Sequence, residues 1–253
     1  MRLLLIGCGA IGKTLAGLLV SIPGVEELLV YDRNPERAKE LAANQPGVRT
    51  VEAVEPWVSR VDLVVEAASP EAVRSYGPTT LKQGKPFVVL SSAALMDEKL
   101  RKELESLALE NHTKVYIPSG AIGGVDMLRA AKMLRVHSVS LTSRKPRKAL
   151  GSKGEGEKIW VGEPGEAVTR FPRSMNIAAT VALAIEDKRV DVKVLSGDED
   201  VNEHRLKIEG DFGSFEVLAR NVPTEENPSS SIVAALSTAA LIKRILSPIE
   251  VGT

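Results

Sequence analysis

The chain has 253 residues, enough to bury a sizeable core and to form one large domain or, as the better expectation, two modest ones. Its 33 lysines and arginines balance 33 aspartates and glutamates, so no overall basic field exists to hold a nucleic acid or an anionic membrane; small molecules or proteins are the expected partners. The one cysteine, Cys8, cannot form an internal disulfide, and no apolar run reaches the roughly 18 residues of a membrane span, so a reducing, cytoplasmic setting is expected.

The chain opens directly in the strand-like run Arg2-Leu3-Leu4-Leu5-Ile6, too short for the apolar core of a signal peptide and followed by glycines rather than a cleavage site. Short apolar runs at 3–6, 27–31, 63–66, 87–90 and 114–117 predict five strands. Stretches of helical length and charge pattern at 12–21, 35–44, 70–82 and 96–111 lie between them. Asn34-Pro35, Ser69-Pro70 and Asp97 supply cap-like starts. Such alternation predicts an α/β domain with a doubly wound parallel sheet, a Rossmann arrangement.

After Pro118 the rhythm changes. A helix is expected from 123 to 132, a strand over 138–143, and a loop at Arg144-Lys145-Pro146-Arg147-Lys148. Residues 151–158 show no periodicity and read as a surface loop. A second helix over 175–186 precedes extended segments at 190–195, 203–209 and 215–219, the pattern of a mostly antiparallel sheet bearing helices on one face. The final stretch, 230–246, follows Asn227-Pro228-Ser229, a sound helix start. This half reads as a second, α+β domain.

The chemistry starts at Gly7-Cys8-Gly9-Ala10-Ile11-Gly12, a Gly-x-Gly-x-x-Gly loop that follows a strand and opens a helix. Gly7 permits the tight turn, Gly9 lets the backbone approach a pyrophosphate, and Gly12 lets the helix pack near the strand, with helix N-terminal amides facing the phosphate charge. Asp32 ends the second strand, where a carboxylate can accept hydrogen bonds from the adenosine ribose; this favours NAD. Arg33 follows directly and could pair with a 2′-phosphate, which leaves NADP open. Strand ends in an open α/β sheet face the ligand, so Ala67-Ala68-Ser69 and Ser91-Ser92-Ala93-Ala94 are expected on the nicotinamide side. Pro118-Ser119-Gly120-Ala121-Ile122-Gly123-Gly124 closes the fifth strand as a glycine-rich crossing, suited to a hinge or a nicotinamide-contacting wall. In Asn202-Glu203-His204-Arg205-Leu206-Lys207-Ile208, strand alternation puts Asn202, His204, Leu206 and Ile208 on one face. A histidine so placed is more often a satisfied half-buried side chain than a catalyst. No cysteine pair, helically spaced histidine pair or calcium-type acidic loop argues for a metal, and no Gly-x-Ser-x-Gly elbow argues for a serine hydrolase.

Taken together, these segments resemble the L-aspartate dehydrogenases, two-domain NAD(P)-dependent enzymes of archaea and bacteria. The resemblance rests on the glycine loop, Ser91-Ser92-Ala93-Ala94-Leu95, the crossing at Pro118 to Gly124, Thr142-Ser143-Arg144-Lys145-Pro146, Phe171-Pro172-Arg173-Ser174-Met175-Asn176-Ile177-Ala178-Ala179-Thr180, and Asn202-Glu203-His204, in the family's order along nearly the whole chain. It implies that Ala121 and Asn176 are nicotinamide-side contacts and that His204 is the catalytic histidine. It also implies a crevice between domains, a homodimer built on the second domain's sheet, and a last helix returning to the first domain. The expected domains are then 1–118 with 226–253, and 119–225.

The implied reaction is NAD(P)-dependent oxidative deamination of L-aspartate through iminoaspartate to oxaloacetate and ammonia, with iminoaspartate passing to NAD biosynthesis. His204 would activate water on the imine. Two substrate carboxylates need cationic or amide partners, for which Arg144, Lys145 and Arg173 are the candidates, and Ser119 and Asn202 are further residues expected on the substrate side. Two other readings compete. One is a homoserine dehydrogenase-like reductase using a second-domain lysine, for which Lys132 is conceivable; the other is an NAD-binding sensor that performs no chemistry.

Overall fold

The computed structural model describes residues 1–147, 159–172, 175–186, 190–197, 202–224 and 227–251. The chain divides into two compact units, Met1–Pro118 with Ala235–Pro248, and Ser119–Ala234 with Ile249–Thr253. The second crossing thus falls at Ala235, where 226 is expected from the sequence.

The first unit alternates strands and helices: β1 (Arg2–Ile6), α1 (Ala10–Leu19), β2 (Glu27–Tyr31), α2 (Pro35–Asn44), β3 (Val48–Thr50), α3 (Glu55–Val58), β4 (Leu63–Glu66), α4 (Pro70–Lys82), β5 (Phe87–Val89), α5 (Glu98–Glu110) and β6 (Val115–Tyr116). The strands form one parallel sheet in the order β3-β2-β1-β4-β5-β6, with its topological switch between β1 and β4. Leu3, Leu4 and Leu5 are fully buried, as expected for a parallel strand covered on both faces. The predicted helix starts are chemical caps: Asn34 accepts from Glu36 N at 3.2 Å, Ser69 from Ala72 N at 3.3 Å, and Asp97 from Lys99 N at 3.1 Å. Because Asp97 is the cap, α5 begins at Glu98 rather than at 96, and a 3-10 turn over Ser92–Met96 fills the gap. The sixth strand, β3, escapes the sequence pattern because Val-Arg-Thr is a three-residue edge with only Val48 buried.

The second unit contains α6 (Val125–Ala131), β7 (Val136–Pro146), β8 (Ile159–Gly162), α7 (Pro164–Arg170), α8 (Asn176–Ile185), β9 (Asp191–Gly197), β10 (Asn202–Gly210), β11 (Gly213–Asn221), β12 (Pro223–Thr224) and β13 (Asn227–Ser231). Its main sheet runs β11-β10-β7-β9-β8, antiparallel throughout except for the parallel pair β7–β9. Val139, Leu141, Val192, Val194, Leu206 and Ile208 point to one face, where they pack with Leu128, Ala167, Ala178 and Val181 of α6, α7 and α8. The strand predicted over 138–143 instead continues to Pro146. Arg144, Lys145 and Pro146 are therefore strand residues, correcting the loop expected there. Pairing explains the extension, since β10 and β9 supply partners on both sides that the local sequence does not reveal. The helix α9 (Ile232–Leu246) carries Ala235, Leu241 and Ile242 into the first unit's core.

Candidate functional site

In the first unit the glycine loop runs from the end of β1 into α1. Gly7 has φ +104°, a conformation that L side chains rarely adopt, and a Cβ there would lie 2.7 Å from the Ala67 carbonyl oxygen. A Cβ at Gly12 would overlap the Gly7 carbonyl oxygen, so this glycine lets the helix close onto the loop. Gly9 differs: a Cβ there would meet nothing within 4 Å, and no side chain caps α1 among the described residues. Open space beside Gly9, next to helix amides free of a side-chain cap, is what a pyrophosphate requires. The residues present therefore fit a dinucleotide.

Asp32 Oδ2 accepts from Cys8 N at 2.8 Å and Oδ1 from Asn34 N at 2.8 Å. The carboxylate thus ties the glycine loop to the turn after β2, and each oxygen retains a second lone pair for a ribose hydroxyl. Arg33 beside it is exposed. Cys8 is fully buried, and burial first, then the charge of Asp32, pushes its thiol up to about 12, which fits a packing role rather than a reactive one. Ala67 is half-buried and Ser91 buried, at the ends of β4 and β5. Glu66, absent from the residues expected at the site, is fully buried where β4 ends and receives hydrogen bonds from Ala68, Ser69 and Ser91. The signal was a carboxylate closing the apolar run Leu-Val-Val-Glu.

In the second unit His204 is 2% exposed, and its Nδ1 lies 2.9 Å from Ser143 Oγ, its register partner on β7. With the proton on Nδ1, the imidazole donates to Ser143 Oγ and Nε2 is left as an acceptor. Burial first, then the positive charge of Lys145, lowers the His204 pKa to about 3, so the ring is neutral at pH 7. Lys145 is itself buried, and desolvation lowers its pKa to about 8. The otherwise apolar face of the sheet turns polar at one end. Asn202 pairs with Asn221 and Lys145 with Ser196, and one step further in His204 faces Ser143; all six are buried. Deeper rows are Val217, Leu206, Leu141 and Val192.

Alternation brings Lys145 to the face of His204 and puts Arg144, paired in register with Glu203, on the other. Ala121 is held at its carbonyl by Asn221 Nδ2 at 2.8 Å, and Asn176 is the first residue of α8; Ser119 is half-buried at the start of this unit. Arg173 lies outside the described residues. Lys132, the lysine a homoserine-type mechanism would need, forms an ion pair with Glu186.

Comparison with known proteins bears on the whole chain. The family described as "Aspartate dehydrogenase, C-terminal" matches residues 126–245, and "Homoserine dehydrogenase, NAD binding domain" matches residues 7–118. An L-aspartate dehydrogenase of Methanothermobacter thermautotrophicus is 43% identical, with 98% of this chain and 97% of that protein covered. One from Methanocaldococcus jannaschii is 34% identical with both chains fully covered. The crystal structure of aspartate dehydrogenase from Thermotoga maritima superposes with a TM-score of 0.81 at 32% identity, covering 100% of this chain and 99% of that one. At 13% identity a myo-inositol dehydrogenase structure from Sinorhizobium meliloti, TM-score 0.61, shares the fold alone. With a glycine loop fit for a dinucleotide and a buried histidine in a polar sheet end, this chain is an NAD(P)-dependent dehydrogenase and belongs to the L-aspartate dehydrogenase family.

Proposed function

We propose that the protein oxidises L-aspartate with NAD or NADP, giving iminoaspartate and then oxaloacetate and ammonia. The observation that carries this reading is the buried His204–Ser143 pair beside Lys145, in a chain whose full-length relatives are L-aspartate dehydrogenases. Gly7, Gly9, Ala10, Ile11 and Gly12 seat the pyrophosphate, Asp32 the adenosine ribose, and Ala67, Ala68, Ser91, Ala121 and Asn176 the nicotinamide side. The chemistry supplied by the bound nicotinamide is acceptance of a hydride from the α-carbon of aspartate.

Ser143 holds the His204 ring so that Nε2 takes a proton from the water adding to the imine. The same nitrogen returns a proton to the nitrogen leaving as ammonia. Lys145 meets one substrate carboxylate as a buried cation, and Asn202 and Ser119 donate to the other. Burial is the larger cause of the depressed His204 pKa, and a carboxylate against Lys145 offsets the smaller part due to the ammonium, making the imidazole a stronger base in the complex than in the free enzyme. A homodimer and delivery of iminoaspartate to NAD biosynthesis belong to the same proposal.

The test is absorbance at the reduced-nicotinamide band with each common L-amino acid and either cofactor. Aspartate is expected to react alone or far fastest. Reaction with another amino or hydroxy acid in its place would overturn the substrate, and no reaction with any of them would favour the sensor reading.

A further inference from the structure

We propose that Glu66 is a positioning residue for the cofactor: its buried carboxylate fixes the loops after β4 and β5 in the conformation that receives the dinucleotide. Oε1 accepts from Ala68 N at 2.7 Å, Ser69 N at 2.8 Å and Ser91 Oγ at 2.8 Å, while Oε2 accepts from Ser91 N at 3.0 Å. The residue is wholly buried. Burial alone pushes its pKa up, and the hydrogen bonds from Ser91, Ala68 and Ser69 pull it back.

Such a group is expensive unless every acceptor is used, and here each oxygen is met by donors from loop backbone or from Ser91. An apolar residue would complete β4 more simply but would leave the amides of Ala68, Ser69 and Ser91 without this acceptor. The linkage extends further. Ala67 N donates to the Ile6 carbonyl at 2.8 Å, and the Ala67 carbonyl oxygen is the atom that a Cβ at Gly7 would strike. The carboxylate therefore ties the ends of β4 and β5 to the strand that delivers the glycine loop, at the sheet end where open α/β folds bind ligands. A plain fold staple could sit anywhere in the core, whereas this one spans the loops the cofactor has to touch. The inference rests on the reading that the loops after β1, β4 and β5 hold the cofactor.

Glu66→Gln keeps the size and the acceptor at Oε1 but turns an amino group toward the amide of Ser91, donor against donor. The measurement is the dissociation constant for NADH, or NADPH if the wild type prefers it, by fluorescence titration, with the melting midpoint recorded with and without that cofactor. The dissociation constant is expected to rise about tenfold and the cofactor-induced midpoint shift to shrink, with KM for aspartate unmoved. A purely structural role would lower both midpoints equally and leave the dissociation constant alone, and that result overturns the proposal. Should the glutamine variant not fold, Glu66→Asp decides: drawing the carboxylate back by one methylene from the donors of Ala68, Ser69 and Ser91 is expected to weaken cofactor binding about threefold, and wild-type binding overturns the proposal. Gly9→Val separates this from failure of the underlying reading. If that variant binds cofactor normally, the loop is not the cofactor seat and both ideas fall; if it loses binding while Glu66→Gln does not, only the role of Glu66 falls.

Discussion

His204 is neutral at pH 7 because its surroundings make the charged form costly, and that has consequences on both sides of neutrality. With a folded pKa near 3 against about 6.5 for a free imidazole, the unfolded chain binds the extra proton first as pH falls. His204 therefore contributes stability that is complete above about pH 6.5 and is lost progressively toward pH 3. Acid titration of unfolding should be shallower for His204→Gln over that window. The same variant should still bind NADH while turnover falls by about 10²–10⁴; turnover at the wild-type rate would refute the assigned role. Lys145 has the opposite character, a buried cation with its pKa brought down to about 8. Succinate, a dicarboxylate without an amine, should inhibit less well as pH rises through about 8, and Lys145→Met should remove that dependence and bind succinate about 10- to 100-fold more weakly. Because burying the charged ammonium is costly below pH 8, Lys145→Met should also melt higher at pH 7. The sequence made His204 legible through strand alternation but gave Arg144 and Lys145 equal standing. Alternation separates the two once 144–146 are known to be strand, and the register of β7 with β10 decides that Lys145, not Arg144, shares the face of His204.

Elements with strong local chemistry are the ones that sequence foretold. The bounds of α2 and α4 follow from Asn34-Pro35 and Ser69-Pro70, where the cap and the fixed proline φ act within a few residues. Short pieces stabilised by neighbours, such as β3, α3 and β8, leave little trace in local pattern. Within the β1–α1 junction the glycines do different jobs, which substitution should separate. Gly12→Ala forces a methyl onto the Gly7 carbonyl and should cost about 1–3 kcal/mol of stability as overpacking. Gly9→Ala adds a methyl to open space, so the free protein should melt as the wild type does while cofactor affinity drops. Denaturant unfolding beside NADH titration of both variants checks the contrast.

Across the whole molecule, the first unit is completed by residues from the end of the chain. Ile242 is fully buried in that core together with Leu3, Leu15 and Leu28, so Ile242→Ala should destabilise the unit by about 2–5 kcal/mol in equilibrium denaturation. A fragment ending at Pro118 lacks this contribution and should unfold at lower denaturant than the complete chain. By itself the sequence determined that the first unit is a doubly wound dinucleotide fold, because strand–helix periodicity and the geometry of a glycine loop are local properties. It also placed Asn202, His204, Leu206 and Ile208 on one face, since alternation is a property of a single strand. Only the tertiary structure decided what surrounds them. Ser143, Lys145, Ser196 and Asn221 come from other strands, and Glu66 meets Ser91 across β4 and β5. Register between distant segments is set by packing of the whole sheet and is not written in either strand alone.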